Sequence, residues 1–340
     1  MPASVRYSVR YAVSNEEQPV RELSYDDIKQ ATDRIAGHVR PVAVAPADPG
    51  AAQLWLALEH LQHTGSFKAR GAQNFLRAHR EEGTLPDAGV TIASGGNAGL
   101  ACAWAARQQN VTATVFLPET APPVKVARLR SYGAEVRLTG ASYAEALAAC
   151  QDFAATTGAL ASHAYDNPLI AAGAGTLLEE IHQRIPELDT VVVAVGGGGL
   201  FAGVATAARH HGIRTVAVEP ENCRALNAAL EAGRVVEVPV DSVASDSLGA
   251  SRASALALRA AQHDDVRSVL VPDREITRAR RTLWTDHRLA VEHAAATALA
   301  ALTVEGEGYG YRPEEGERIC VVLCGANTDV GSLAGTDERE

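Results

Sequence analysis

The segment Thr190-Val191-Val192-Val193-Ala194-Val195 is apolar on both of its alternating faces, and Gly196-Gly197-Gly198-Gly199 follows it directly. A strand with two apolar faces is covered on both sides, which points to helices above and below a parallel sheet. Leu200 to His211 then reads as a helix, and Ile213 to Val218 as a second buried strand ending in Glu219-Pro220. Strand, glycine turn, helix and strand make the repeating unit of a parallel sheet.

The same alternation extends outward. Upstream, Val90 to Ala93 reads as a strand, Ser94-Gly95-Gly96-Asn97 as a tight turn, Ala98 to Gln108 as a helix and Val111 to Leu117 as a strand. Helices over 122–132 and 143–156 flank a strand over 135–138, and a helix over 175–185 precedes the glycine-bearing unit. Downstream come a strand over 268–271, helices over 275–286 and 291–302, and a strand over 318–323 that ends in Cys324-Gly325-Ala326-Asn327. Near the start, Ser24 reads as a helix N-cap with Asp27 at the third helical position, a reciprocal capping pair. Ile28, Ala31, Ile35 and Ala36 give that helix an apolar face. Residues 1–22 have no clear period and read as an extension, and 41–50 as a proline-containing connection. The expected fold is α/β, in two lobes with a cleft between them, each a mostly parallel twisted sheet flanked by helices.

The chain of 340 residues suits about two domains with real cores, and 46% hydrophobic residues argue against disorder. A net charge of -10 without any basic tract argues against nucleic acid or an anionic membrane as the main partner. The five cysteines (102, 150, 223, 320 and 324) form no Cys-x-x-Cys pair and read as reduced thiols. With no signal-peptide pattern and no apolar run of membrane length, the expectation is a cytoplasmic protein.

Free backbone N–H groups at Gly196–Gly199, aided by the helix dipole, can cradle a phosphate. A nucleoside-triphosphate loop is excluded, because no Gly-Lys-Ser/Thr closes the turn. A dinucleotide site is a rival: Gly197-x-Gly199-x-x-Ala202 fits Gly-x-Gly-x-x-Gly/Ala, and Glu219 stands where an acidic residue would take ribose. Ser94-Gly95-Gly96-Asn97 is a second anion-binding helix start, suited to a carboxylate. Thr64-Gly65-Ser66-Phe67-Lys68-Ala69-Arg70-Gly71 sets one lysine between a mostly apolar run over 54–61 and a helical run over 72–78. Partial desolvation there favours the neutral amine, which forms Schiff bases with carbonyls, pyridoxal phosphate among them. Alone, Lys68 reads as a solvated lysine at a helix start; beside a phosphate cradle and a carboxylate cradle it reads as a nucleophile.

On these motifs the chain resembles the serine/threonine dehydratases, pyridoxal-phosphate enzymes of the tryptophan-synthase-β fold type (fold type II). The lysine stretch, Ser94-Gly-Gly-Asn-Ala-Gly99, Gly196-Gly-Gly-Gly-Leu200, Val218-Glu-Pro220 and Cys324-Gly-Ala-Asn327 match in order, and Ser24 to Val39 resembles the family's first helix. The resemblance implies that Lys68 holds the cofactor and takes the Cα proton, Phe67 packs on the pyridine ring, Asn97 bonds its phenolic oxygen, Gly196–Leu200 bind the phosphate and Cys324 faces the ring nitrogen. Ser94, Gly95, Gly96, Asn97 and Ala98 would bind the substrate carboxylate. A thiol is a weak neutral partner for the nitrogen, so the ring is a weaker electron sink and elimination is favoured over a long-lived carbanion.

The implied reaction removes the Cα proton of L-threonine or L-serine and expels the hydroxyl, its proton supplied through the cofactor phosphate, to give a 2-oxo acid and ammonia. Related β-replacing enzymes usually carry Asp after the lysine; Ala69 points to the dehydratase branch. Related racemases carry a serine where this chain has Gly95. Glu219 resembles a cation ligand, but the second acidic ligand expected six positions on is Ala225, which favours a monovalent cation such as K+. Residues 23–79 and 166–340 would form the large cofactor-binding domain and 80–165 the small substrate-binding one, with a homodimer as the common assembly. Only thirteen residues follow Asn327, so inhibition by isoleucine is not expected. Departures such as Glu292-His293-Ala294, where many relatives have Glu-Pro-Ala, and Ser245-Asp246-Ser247 leave the substrate open. His63 and His287 read as solvated surface residues. The rivals are a racemase of the same fold, a dehydratase of another β-hydroxy amino acid and an NAD(P)-dependent dehydrogenase.

Overall fold

Residues 22–47, 53–304 and 308–334 are described in a computed structural model. The Val-rich stretch forms β7 of ten strands in chain order: β1 (Val44–Pro46), β2 (Gln53–Ala57), β3 (Val90–Ala93), β4 (Ala113–Leu117), β5 (Glu135–Leu138), β6 (Leu160–Ala161), β7 (Thr190–Ala194), β8 (Arg214–Pro220), β9 (Val266–Val271) and β10 (Arg318–Val322). They build a six-stranded sheet, β1-β2-β10-β7-β8-β9, and a four-stranded sheet, β5-β4-β3-β6. Every pairing is parallel except β1 with β2. All residues of β7, β3 and β4 are buried, as strands covered on both faces must be.

The helices are α1 (Tyr25–Ile35), α2 (Lys68–Glu81), α3 (Asn97–Gln108), α4 (Pro123–Ser131), α5 (Tyr143–Thr157), α6 (Pro168–Arg184), α7 (Gly199–His210), α8 (Ala225–Ala232), α9 (Ser245–Leu248), α10 (Ala255–Ala261), α11 (Asp273–Thr285), α12 (His293–Thr303) and α13 (Gly331–Ala334). Ser24 caps α1 in the expected box with Asp27, and Ile28, Ala31 and Ile35 are buried. No described helix is long and apolar enough to cross a membrane.

Several elements differ from the sequence reading. The connection expected over 41–50 contains β1, an edge strand whose antiparallel position tolerates Pro46; its residues 48–50, and residues 1–21 of the expected extension, lie outside the described residues. Helix α6 starts at Pro168 and not near 175, because Asn167 caps it through Leu169 and Ile170 N–H and Pro168 suits the first turn. Two-residue β6 and the helices α8, α9 and α10 carry too little periodicity to be read from sequence.

The carboxyl ends of β3, β7 and β10 face the start of α2. Ser66 bridges to Gly325, Phe67 N–H donates to Cys324 O at 3.0 Å, and Ala326 N–H donates to Gly65 O at 2.9 Å. The lysine stretch and the last motif, far apart in sequence, are thus one piece of backbone structure. Behind it the fully buried Arg70 bonds Glu59 at 2.6 Å and Glu180 at 2.8 Å, pinning the first turn of α2. Because both carboxylates lose a buried partner if Arg70 is removed, this network resists displacement of the lysine.

Candidate active site

Lys68 is the first residue of α2 and half-buried. Its Nζ donates to Ala164 O at 2.8 Å and stands 4.6 Å from the Phe67 ring centroid. Burial pulls its ammonium down to about 8, with the charges of Cys324 and Glu292 acting the other way. The partly desolvated amine expected from the sequence is therefore present.

The glycine turn is closed to side chains. Gly198 has φ +93°, a left-handed conformation that glycine adopts without strain. A Cβ at Gly198 would lie 2.2 Å from the Ala257 methyl, and one at Gly197 would lie 2.3 Å from the Tyr165 ring. Among the described residues no acceptor meets the N–H groups of Gly196 to Leu200. A run of unpartnered N–H groups at a helix start is a cradle for an anion, so the residues present fit a cofactor phosphate.

One cavity of about 420 Å³, counted to its open mouth, is lined by Phe67, Lys68, Asn97, Gly196 to Leu200, Glu292 and Cys324. Burial pushes the Cys324 thiol up, as does the charge of Glu292, while Lys68 opposes them. A neutral thiol thus faces the cavity. A larger outer cavity of about 1560 Å³, counted the same way, adjoins it and includes Gly95, Gly96, Asn97, Lys125 and His293. Ser94 Oγ accepts from Gly96 N–H at 3.4 Å, and Ala98 follows in the buried first turn of α3. Beyond that Gly96 bond the turn has no side-chain helix cap, which leaves its other N–H groups available to a ligand.

Asn97 is held from both ends. Its Nδ2 donates to the Glu292 carboxylate at 2.9 and 3.2 Å, and its Oδ1 accepts from Asn327 Nδ2 at 2.6 Å. Asn327 Nδ2 also reaches Thr64 O at 2.8 Å. Four motifs therefore meet in one chain of hydrogen bonds. Glu292 is buried; burial pushes its carboxyl up, opposed by the Asn97 bond and the Lys68 charge. Sequence reasoning noted Glu292 only as part of a departure and gave it no role. It missed Tyr165 as the wall of the glycine turn, whereas Ser247, noted with Ser245 and Asp246 as a departure bearing on the substrate, lines both cavities. The available signals were a lone glutamate opening an apolar helix and an aromatic residue in the link after β6.

Glu219, next to last in β8, is fully buried and accepts Leu226 and Asn227 N–H, both at 2.7 Å; burial raises its carboxyl to about 8. It points into the start of α8 and is absent from the lining of both cavities. That removes the acidic ribose partner on which the dinucleotide reading depends. His63 is also not a solvated residue: it stacks on Trp104 at 4.6 Å, and burial lowers its imidazole.

Residues 37–325 match the family described as pyridoxal-phosphate dependent enzyme, and the chain belongs to that family. The L-threonine ammonia-lyase of Geobacter sulfurreducens is 36% identical over 93% of this chain and 79% of its own length. A serine dehydratase-like protein of Rattus norvegicus is 37% identical over 81% of this chain and 85% of its own. The solved structure of maize serine racemase superposes with a TM-score of 0.85 at 29% identity, covering 92% of this chain and 96% of that one. The resemblance read from the motifs is borne out at the level of family, fold and cofactor.

Proposed function

We propose that the protein is a pyridoxal-phosphate-dependent ammonia-lyase that dehydrates L-threonine or L-serine to 2-oxobutanoate or pyruvate with release of ammonia. One observation carries this reading: the Lys68 amine, an unpartnered glycine turn and a neutral thiol surround one cavity, in a chain 36% identical to an L-threonine ammonia-lyase.

When bound, the cofactor supplies an electron sink beside Cα. The N–H groups of Gly196 to Leu200 would hold its phosphate, and Phe67, Asn97 and Cys324, which line the same cavity, would hold its ring. Ser94 to Ala98 orient the substrate carboxylate at the start of α3. Lys68, easier to deprotonate than an exposed lysine, takes the Cα proton. The enamine released on loss of the hydroxyl hydrolyses to the 2-oxo acid and ammonia. The weak thiol partner favours prompt departure of the hydroxyl over return of a proton to Cα. Gly95 acts the same way, since it offers no side chain from which a second face could be protonated.

We assign residues 23–79 and 166–340 to a cofactor-binding lobe and 80–165 to a substrate lobe; the separate four-stranded sheet supports that division. A monovalent cation such as K+ at Glu219 rests on the resemblance alone, because both carboxyl oxygens already accept backbone N–H groups. Five buried free cysteines support a cytoplasmic location, and the habit of the fold supports a homodimer. The test of the activity is to incubate the holoenzyme with L-serine and follow pyruvate and D-serine by chiral chromatography. Pyruvate should dominate; D-serine forming as fast as pyruvate would contradict the lyase reading.

A further inference from the structure

We infer that His163 is a positioning residue for the cofactor: its ring holds the link after β6 in the shape that sets Tyr165 against the glycine turn. The inference rests on the cofactor and that turn, and not on the choice of substrate.

Residues 162–167 run from the four-stranded sheet to α6 and form no helix or strand of their own. At one end Ser162 N–H donates to Thr91 O of β3 at 2.9 Å; at the other Asn167 caps α6. Between them the backbone bends past the site. Ala164 O accepts Lys68 Nζ at 2.8 Å. The Tyr165 ring lies over Gly197, and its hydroxyl donates to Arg252 O at 3.3 Å. Two residues on, Ser254 N–H donates to Gly197 O at 2.9 Å. The two walls of the glycine turn, Tyr165 and the start of α10, are thus tied together. One short link sets both the partner of the lysine and the wall of the phosphate site.

His163 gives that link its shape. Its Nδ1 accepts Tyr165 N–H at 3.2 Å and Asp166 N–H at 2.8 Å. Neither N–H has another acceptor among the described residues. A backbone N–H can only donate, so Nδ1 carries no proton and the ring is the neutral Nε2–H tautomer. The His163 and Tyr165 rings also meet edge to face, with centroids 4.8 Å apart.

A proton on Nδ1 would turn the acceptor of two N–H groups into a third donor. The charged groups that face the ring are Asp166 from the link itself, Lys68 from α2 and Arg252 from the segment before α10; the Tyr165 phenol, raised by burial, stays neutral. Partial desolvation holds the imidazole below its ordinary value; Asp166 opposes this, and Lys68 and Arg252 add to it. The neutral, accepting ring is therefore the form that the ordered link favours. Its support is full above the ordinary histidine value of about 6.5 and is lost as pH falls below it.

The experiment titrates pyridoxal phosphate onto the full chain, freed of cofactor, and follows absorbance at about pH 8 and about pH 5. It compares wild type with His163→Asn and His163→Ala. The position is exposed, so neither change disturbs the core. An asparagine Oδ1 accepts N–H groups two and three residues on, as Nδ1 does here, but does not titrate. At about pH 8 the Asn variant should bind within about threefold of wild type, and the Ala variant about tenfold more weakly, the effect of two N–H groups losing their acceptor. From about pH 8 to about pH 5 the wild-type affinity should fall about fivefold to tenfold more than that of the Asn variant, because acid acts on the cofactor and on Lys68 alike in both. Parallel pH profiles for wild type and the Asn variant would overturn the assignment. So would wild-type affinity in the Ala variant, or an Asn variant as weak as the Ala one at about pH 8. The comparison of wild type with the Asn variant decides by itself if the Ala chain does not fold. A chain that binds the cofactor as stated but turns over neither L-serine nor L-threonine would sink the lyase reading and leave this inference standing.

Discussion

Two turns in this molecule have the same ancestry in the chain, a buried parallel strand running into a helix, yet they are built differently. The turn from β7 to α7 is Gly196–Gly199, and around it a Cβ at three of four positions would come within 3.0 Å of Tyr165 or Ala257 atoms. The turn from β3 to α3 is Ser94–Asn97; a Cβ at Gly96 would meet nothing within 4 Å, and one at Gly95 only flexible side-chain ends, the tip of Leu117 at 2.9 Å and Lys125 Cδ at 3.8 Å. The first has walls and no side chains of its own, which suits a group that never varies, such as a cofactor phosphate. The second opens on the larger cavity and carries Ser94 and Asn97, which suits an exchangeable carboxylate. Glycine content alone does not separate the two roles; what stands opposite the glycines does.

Substitutions at the two turns should therefore have unequal effects. Gly198→Asp combines a left-handed φ, a collision with Ala257 and a carboxylate beside the phosphate site. At about 3 kcal/mol or more, the affinity for pyridoxal phosphate should fall by about a hundredfold or more, measured by absorbance titration. Retained affinity would break the contrast between the turns. At the open turn, Gly96→Ala and Gly95→Ser should leave cofactor affinity within about threefold of wild type, because the first meets no atom and the second displaces only a flexible leucine end. Gly95→Ser should raise the D-serine yield by supplying a hydroxyl where related racemases carry one. A large loss of cofactor from either variant would show that the two turns share one ligand.

The alternation of strand and helix was legible because parallel strands buried on both faces leave unmistakable apolar runs, as Val191–Val195 do, and because glycine turns punctuate them. Lys68, the glycine turn and Cys324 were legible as motifs, and the structure gathers them around one cavity. Glu292 was not. Its carboxyl meets Asn97 across 195 positions of sequence, and nothing local distinguishes it from a solvated glutamate at a helix start. Tyr165 escaped for a similar reason: its role is to fill space beside glycines 32 or more positions away. Glu219 shows the opposite error. Its place after a strand and a glycine turn fitted a ribose ligand, but burial at the start of α8 commits both of its oxygens to backbone N–H groups. The short β1 and β6 lack the length from which a period could be read.

The central claim is that Lys68 is the residue that joins the cofactor, and trapping tests it most directly. Apo-protein is mixed briefly with pyridoxal phosphate at a series of pH values and reduced with borohydride, and the pyridoxyl-bearing peptide is located by mass spectrometry. Only the neutral amine attacks, and burial brings the Lys68 ammonium down to about 8. The account predicts an adduct on Lys68 whose early yield rises about tenfold from about pH 7 to about pH 9 and then levels, as the neutral fraction grows from about a tenth to nearly all. An adduct on another lysine, no adduct, or a yield that keeps climbing towards the range of an exposed lysine would contradict it.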